Sequence, residues 1–331
     1  MSRVAAVRNL REAVAITTHY TRGELAAHFL PERSPMRALY PSFWFNDNAE
    51  EATNFYLGLF PDSEMIAIQR NTDVGHGETG SVLATHFRIA NLEVLTINGG
   101  PTFTPNPSVS LYVETSDLAR LDALWEALSE GGFVMMEYGE YPWAAKYGWL
   151  ADRYGVSWQI SAGEQEAVSI TPALLFVGDQ FGKLESAINR WTSVFPNSDT
   201  GQIVKNDGAD DSSRKDTVMF SRFTLGGQSI IAMEDNSDHQ FTFTEGASLV
   251  AECDDQAEVD GLWDGLIADG GKPSQCGWLW DPYGLSWQII PTQLFDMVSS
   301  GDVAGATRAT QAMFQMHKLD IATLERAFKG E

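Results

Sequence analysis

Apolar and polar positions along this chain follow one pattern, met twice in each half. An alternating run comes first, then a stripe spaced three and four residues apart, then three further runs. In the first module Tyr40 to Phe45 reads as a strand. Ala52, Phe55, Tyr56, Leu59 and Phe60 form the apolar stripe of an amphipathic helix, which Pro61 stops. Asn46, Asp47 and Asn48 stand where caps for that helix are expected. Met65 to Gln69, Ser81 to Ile89 and Leu92 to Ile97 read as strands, the last running into Asn98-Gly99-Gly100-Pro101. The second module begins with a strand at Val109 to Val113. Leu118, Leu121, Leu124, Trp125 and Leu128 stripe its helix, Gly131-Gly132 ends it, and Phe133 to Glu137 is the next strand. The pattern predicts an α+β chain of four βαβββ modules.

The strongest internal repeat closes each half. Residues 148–160 read GWLADRYGVSWQI and residues 277–289 read GWLWDPYGLSWQI, identical at ten of thirteen positions. Each copy is a hairpin whose turn ends in a glycine, Gly155 or Gly284. Side chains alternate along a strand, so Trp158 and Ile160 share one face while Ser157 and Gln159 share the other. Trp287 and Ile289 divide from Ser286 and Gln288 in the same way. One face is core; the other offers a hydroxyl and a neutral amide, either to backbone groups or to a cavity.

Other segments answer each other: LFPDS at 59–63 with VFPNS at 194–198, and LDALW at 121–125 with VDGLW at 259–263. The offset drops at the hairpin, so the first half carries about ten extra residues around Tyr138 to Tyr147. Rich in Tyr and Trp, they are either a lid or ordinary loop variation. The expected organisation is a helical extension at 1–35 (Val4, Val7, Leu10 and Val14 at helical spacing), a first domain at 36–163, a second at 168–291, and a helical tail at 292–331 with Asp320 capping its last helix.

Composition narrows the function. A net charge of −23 and a pI near 4.5 argue against binding a phosphate backbone and would draw cations. Two cysteines, Cys253 and Cys276, give neither a disulfide framework nor a zinc spacing, so a reducing cytoplasm is expected. No run is long and apolar enough to span a membrane. Gly75-His76-Gly77-Glu78-Thr79-Gly80 fits GxGxxG but precedes a strand instead of opening a helix, so it lacks the amides and dipole that hold a pyrophosphate.

With four modules in hand, the chain resembles the vicinal oxygen chelate superfamily, and in particular its PhnB-like branch, often labelled 3-demethylubiquinone-9 3-methyltransferase. The residues that carry the resemblance are SFWFNDNAEEATNFYLGLFPDSEM from Ser42, the INGGP turn at 97–101, the segment from Cys276 to Ile289, and the Gln311–Met316 run of the tail. It implies two tandem glyoxalase-like domains whose modules curl their sheets around shared clefts. Members include metal enzymes, dioxygenases and drug-sequestering proteins, so the fold leaves the activity open. The metal enzymes hold a divalent ion with His and Glu from the module strands. Here the corresponding strands carry no His, and Gln159 and Gln288 stand where such relatives have Glu.

His86 and Glu93 fall on first-half strands, and His86 reads as an ordinary strand histidine. Cys276 has no base placed beside it. The expectation is a protein without metal or cofactor, with no catalytic residue assignable, that binds an aromatic or cationic small molecule. Trp44, Trp149 and Trp278 would stack it, and Asn98, Ser157, Gln159, Ser286 and Gln288 would hydrogen-bond it. The alternatives are an enzyme, either a lyase or dioxygenase relative or a methyltransferase, and a scaffold that binds nothing. Single-domain relatives are expected to dimerise. The fused copies either replace that dimer or form a homodimer.

Overall fold

The computed structural model describes residues 38–74, 77–209 and 211–331. The expected helix within 1–35, and Gly75 and His76 of the glycine-rich stretch, lie outside the described residues.

Module one is β1 (Ala38–Phe45), α1 (Ala49–Leu59), β2 (Glu64–Arg70), β3 (Val82–Ile89) and β4 (Leu92–Asn98). Module two is β5 (Val109–Thr115), α2 (Leu118–Ser129), β6 (Phe133–Tyr141), β7 (Ala144–Ala151) and β8 (Ser157–Ala162). Module three is β9 (Ser169–Phe176), α3 (Leu184–Val194), β10 (Asp199–Lys205), β11 (Val218–Leu225) and β12 (Gln228–Glu234). Module four is β13 (Ala247–Cys253), α4 (Gln256–Ile267), β14 (Lys272–Pro273), β15 (Trp278–Trp280) and β16 (Ser286–Pro291). The tail holds α5 (Thr292–Ser299), α6 (Val303–Met313) and α7 (Ile321–Lys329).

The modules join across the two halves. Sheet A has the order β14-β15-β16-β13-β1-β4-β3-β2, and sheet B the order β10-β11-β12-β9-β5-β8-β7-β6. Module one thus meets module four through antiparallel β1 and β13, with Tyr40 opposite Val250 and Ser42 opposite Ser248. Module two meets module three through β5 and β9, with Tyr112 opposite Thr171 and Ser110 opposite Ala173. Within each half, contact runs through the central core instead. That core takes Phe43, Phe87 and Trp287 from sheet A, and Trp158, Leu174 and Phe223 from sheet B, with the stripes of α1 to α4.

Two buried carboxylates tie the modules of each half together. Asp152 accepts from Tyr56 Oη on α1 (2.7 Å) and from Trp158 Nε1 (2.9 Å). Asp281 accepts from Trp191 Nε1 on α3 (2.8 Å) and from Trp287 Nε1 (3.0 Å). These aspartates open the two repeated hairpin turns.

Helix caps correct one expectation. Asp117, Asp255, Asp302 and Asp320 cap α2, α4, α6 and α7 with their side chains, as their positions suggest. Asn48 makes no side-chain cap on α1. The Ala49 N–H donates instead to Asn98 Oδ1 at the end of β4 (2.9 Å). Module three repeats the device: the Leu184 N–H donates to Glu234 Oε1 at the end of β12 (2.8 Å). A strand brought alongside by the sheet satisfies the orphan amide better than the adjacent loop does.

Each sheet has an outer face turned away from the central core. On sheet A the tail covers it, with Leu294, Met297, Leu319 and Leu324 packed over Tyr40, Leu95, Val250 and Ile290. On sheet B the extra residues of the first half cover it. They are not a loose loop: they lengthen β6 and β7 into a paired hairpin, with Gly139 opposite Tyr147 and Tyr141 opposite Ala144. At its tip Trp143 is 6% exposed and packs on Tyr141 and Tyr147, with ring centroids 4.8 and 5.8 Å away.

Candidate functional site

Alternation on β8 and β16 sends the two repeated amides to the outer faces, as the sequence pattern requires. Gln159 Nε2 donates to Ser110 Oγ (2.8 Å), and Gln288 Nε2 donates to Ser248 Oγ (3.0 Å). Gln159 Oε1 also accepts from Tyr147 Oη (2.8 Å). Trp149 Nε1 donates to Ser157 Oγ (2.8 Å). Ser157 and Gln159 are therefore each satisfied on sheet B, the first by Trp149 and the second by Tyr147 and Ser110.

The second copy differs. Trp278 turns edge-on to Trp44, with centroids 6.1 Å apart, and Ser286 Oγ is buried without a hydrogen-bond partner. Trp44 donates Nε1 to Gly100 O (2.8 Å) and meets Phe103 edge-on at 5.4 Å. Its ring lies so close over Gly99 that a Cβ there would overlap it. Asn98 uses both ends of its amide inside module one: besides capping α1, its Nδ2 donates to Val82 O (2.9 Å). The structure thus gathers Trp44, Trp278, Ser286 and Gln288 on sheet A and Trp149, Ser157 and Gln159 on sheet B, and places Asn98 at a helix end.

A cavity of about 300 Å³ lies between the outer face of sheet A and α5. None of the eight residues above lines it. Its walls are Ile66, Ala67, Ile68, Ala84, Leu95, Phe295 and Val298, with polar positions at Gln69, His86, Glu252, Thr292, Asp296 and Ser299. His86 therefore stands in a cavity wall, where the sequence reading makes it an ordinary strand residue. Its ring stacks on Tyr40 (4.8 Å) and Phe295 (6.3 Å). Its Nε2 is 2.9 Å from Glu93 Oε2, an ion-pair distance, but outside hydrogen-bonding angles, so this nitrogen is buried without a hydrogen bond. Glu252 accepts from Tyr40 Oη (2.7 Å). The role of α5 as a wall is not legible in the sequence, because a helix after the last strand carries no mark of where it packs. Ser110 and Ser248 did leave a signal: they sit at the same place in the two halves.

The superfamily's enzymes hold a divalent ion at the strand positions of these amides. Among the described residues no three His, Cys, Asp or Glu side chains converge as an ion would need. The two amides that stand at carboxylate positions spend a donor on serines. The residues present do not fit that ion.

Four βαβββ modules arranged as two eight-stranded sheets define a vicinal oxygen chelate fold of the glyoxalase kind. Glyoxalase I from Zea mays shares it, with 11% identity over 79% of this chain and 95% of its own and a TM-score of 0.50, a likeness of fold alone. The family described as 3-demethylubiquinone-9 3-methyltransferase matches at residues 37–161 and again at 168–290, and the chain belongs to this PhnB-like family. A PhnB protein from Bacillus cereus is 36% identical over 38% of this chain and 98% of its own, with a TM-score of 0.36. No curated protein matches.

Proposed function

We propose that this PhnB-like chain is a metal-free protein that binds or sequesters a small molecule. The observation that carries the reading is the cavity of about 300 Å³ under α5, where apolar walls that can take a small molecule's body alternate with polar groups that can orient it. The donor set supports the metal-free part, since amides bonded to serines ligate weakly. Both cysteines are free thiols, which supports a cytoplasmic setting. Among the described residues no helix is long and apolar enough to cross a membrane. The test is native mass spectrometry of dialysed protein together with a thermal-shift screen of small aromatics. The expected result is no stoichiometric divalent ion and a raised Tm with members of the screen. One retained equivalent of zinc, nickel or iron would overturn it.

One contact supports a second reading, an enzyme. A histidine against a carboxylate in a cavity wall is a common acid–base arrangement, and His86 beside Glu93 has that form. Methyl transfer, which the family's description names, would show itself as saturable binding of S-adenosylmethionine in a calorimeter.

A further inference from the structure

Duplication gives the chain two outer faces with matching positions, and the strand ladders show which residues correspond. On sheet A the ladder across one row runs His86, Leu95, Ser42, Ser248, Ser286. On sheet B the same row runs Arg222, Ile231, Ala173, Ser110, Ser157. Four residues beyond the row's serine on β5 and β13 stand Glu114 and Glu252.

Sheet B answers its own polar groups. Arg222 Nη2 is paired with Glu114 Oε2 at 2.7 Å, which closes the span that on sheet A is cavity. Tyr147 caps Gln159, Trp149 caps Ser157, and the Trp143 hairpin tip fills the space above. The one orphan of this plug is the Trp143 indole N–H.

Sheet A has lost each of these closures. His86 replaces Arg222 and is too short to span the face, so the cavity opens between it and α5. Cys276 replaces Tyr147, so no phenol reaches Gln288, and among the described residues no donor meets Gln288 Oε1. Trp278 points to Trp44 and leaves Ser286 without a partner. Buried polar atoms without hydrogen bonds are rare in folded proteins, and here Ser286 Oγ and His86 Nε2, the latter beside Glu93 at ion-pair distance, lie in one row of one face.

We infer that the chain holds one ligand and not two: the outer face of sheet A is the binding face, and the outer face of sheet B is a self-filled structural copy. This rests on the binder reading above. The occupant is a small non-anionic molecule with an aromatic body and one hydrogen-bonding heteroatom. The walls from Ile66, Leu95 and Phe295 take the body, and His86 is the group placed to meet the heteroatom. The net charge of −23 and the Glu252 and Asp296 carboxylates in the wall disfavour an anion.

The test is a fluorescence titration of the full chain with N-phenyl-1-naphthylamine, a neutral two-part aromatic amine. Three proteins are compared: the unmodified chain, Val298→Trp, which fills the cavity from the surface of α5, and Trp143→Ala, which opens the plug on sheet B. The expected result is one equivalent bound by the unmodified chain, at least tenfold weaker binding in Val298→Trp, and affinity within about twofold in Trp143→Ala at the cavity site. Two equivalents in the unmodified chain would overturn the inference while leaving the binder reading intact. So would loss of binding in Trp143→Ala with none in Val298→Trp. No saturable binding by the unmodified chain would remove both. Two equivalents in the unmodified chain overturn the inference even if a variant fails to fold.

Discussion

At the scale of single residues, the aspartates of the repeated hairpins do more than turn the chain. Asp281 takes two indole N–H groups on Oδ2, and on Oδ1 the backbone N–H groups of Tyr283 (2.9 Å) and Leu285 (3.1 Å). Even with four donors, burial wins and pushes its carboxyl up to about 6. Burial also moves Asp152 upward. An unfolded aspartate releases its proton near pH ~3.9. The folded one holds it longer, so the proton-linked part of its stability is fully present below that pH and is lost as pH rises through about 6. Asp281→Asn should cost about 3 kcal/mol by leaving indole donors unpaired. The gap between wild type and variant should shrink as pH rises from about 4 to about 7.5. Urea midpoints across that range check both statements. Gly99 is the second test. Trp44 lies over its Cα with no room for a methyl group, so Gly99→Ala should cost about 1–3 kcal/mol and alter tryptophan fluorescence. An unchanged thermal midpoint and emission spectrum would show that the indole simply moves aside.

Elements show where local sequence stops being enough. The stripe of α1 is plain in Ala52, Phe55, Tyr56 and Leu59, but its cap is Asn98, dozens of residues away. Nothing near Asn48 reveals that a strand will supply the acceptor. The tail is the other case. Its helices follow from apolar spacing, yet their partner, the outer face of sheet A, is a surface assembled from both halves. Leu294, Met297, Leu319 and Leu324 are buried there, and at roughly 2 kcal/mol per buried side chain their sum rivals the stability of an ordinary domain. A chain ending at Pro291 should therefore unfold well below the full chain's Tm and bind an apolar dye. A cooperative melt at the full chain's temperature would contradict this.

For the whole molecule, the consequence is that neither half holds a complete sheet. Residues 36–163 alone would leave the edges of β1 and β5 bare, the edges that meet β13 and β9 in the full chain. Because module two is the counterpart of module four, β1 of one copy can pair with β5 of another. The fragment should sediment as a dimer, whereas a folded monomer would mean that cross-half pairing is not needed. In the full chain β13 and β9 occupy those edges.

By itself the sequence determined the four modules, the outward direction of Gln159 and Gln288, the core placement of Trp158 and Trp287, and membership of the PhnB-like family, because strand and helix periods are written in local spacing. Only the tertiary structure decided that the sheets pair across halves, that His86 looks into a cavity, and that the second hairpin leaves Ser286 unanswered while the first satisfies Ser157. The reason is physical. Every strand edge presents the same N–H and C=O groups, so partner choice leaves no mark on the residues. Likewise, whether a buried hydroxyl is satisfied depends on where a distant indole comes to rest.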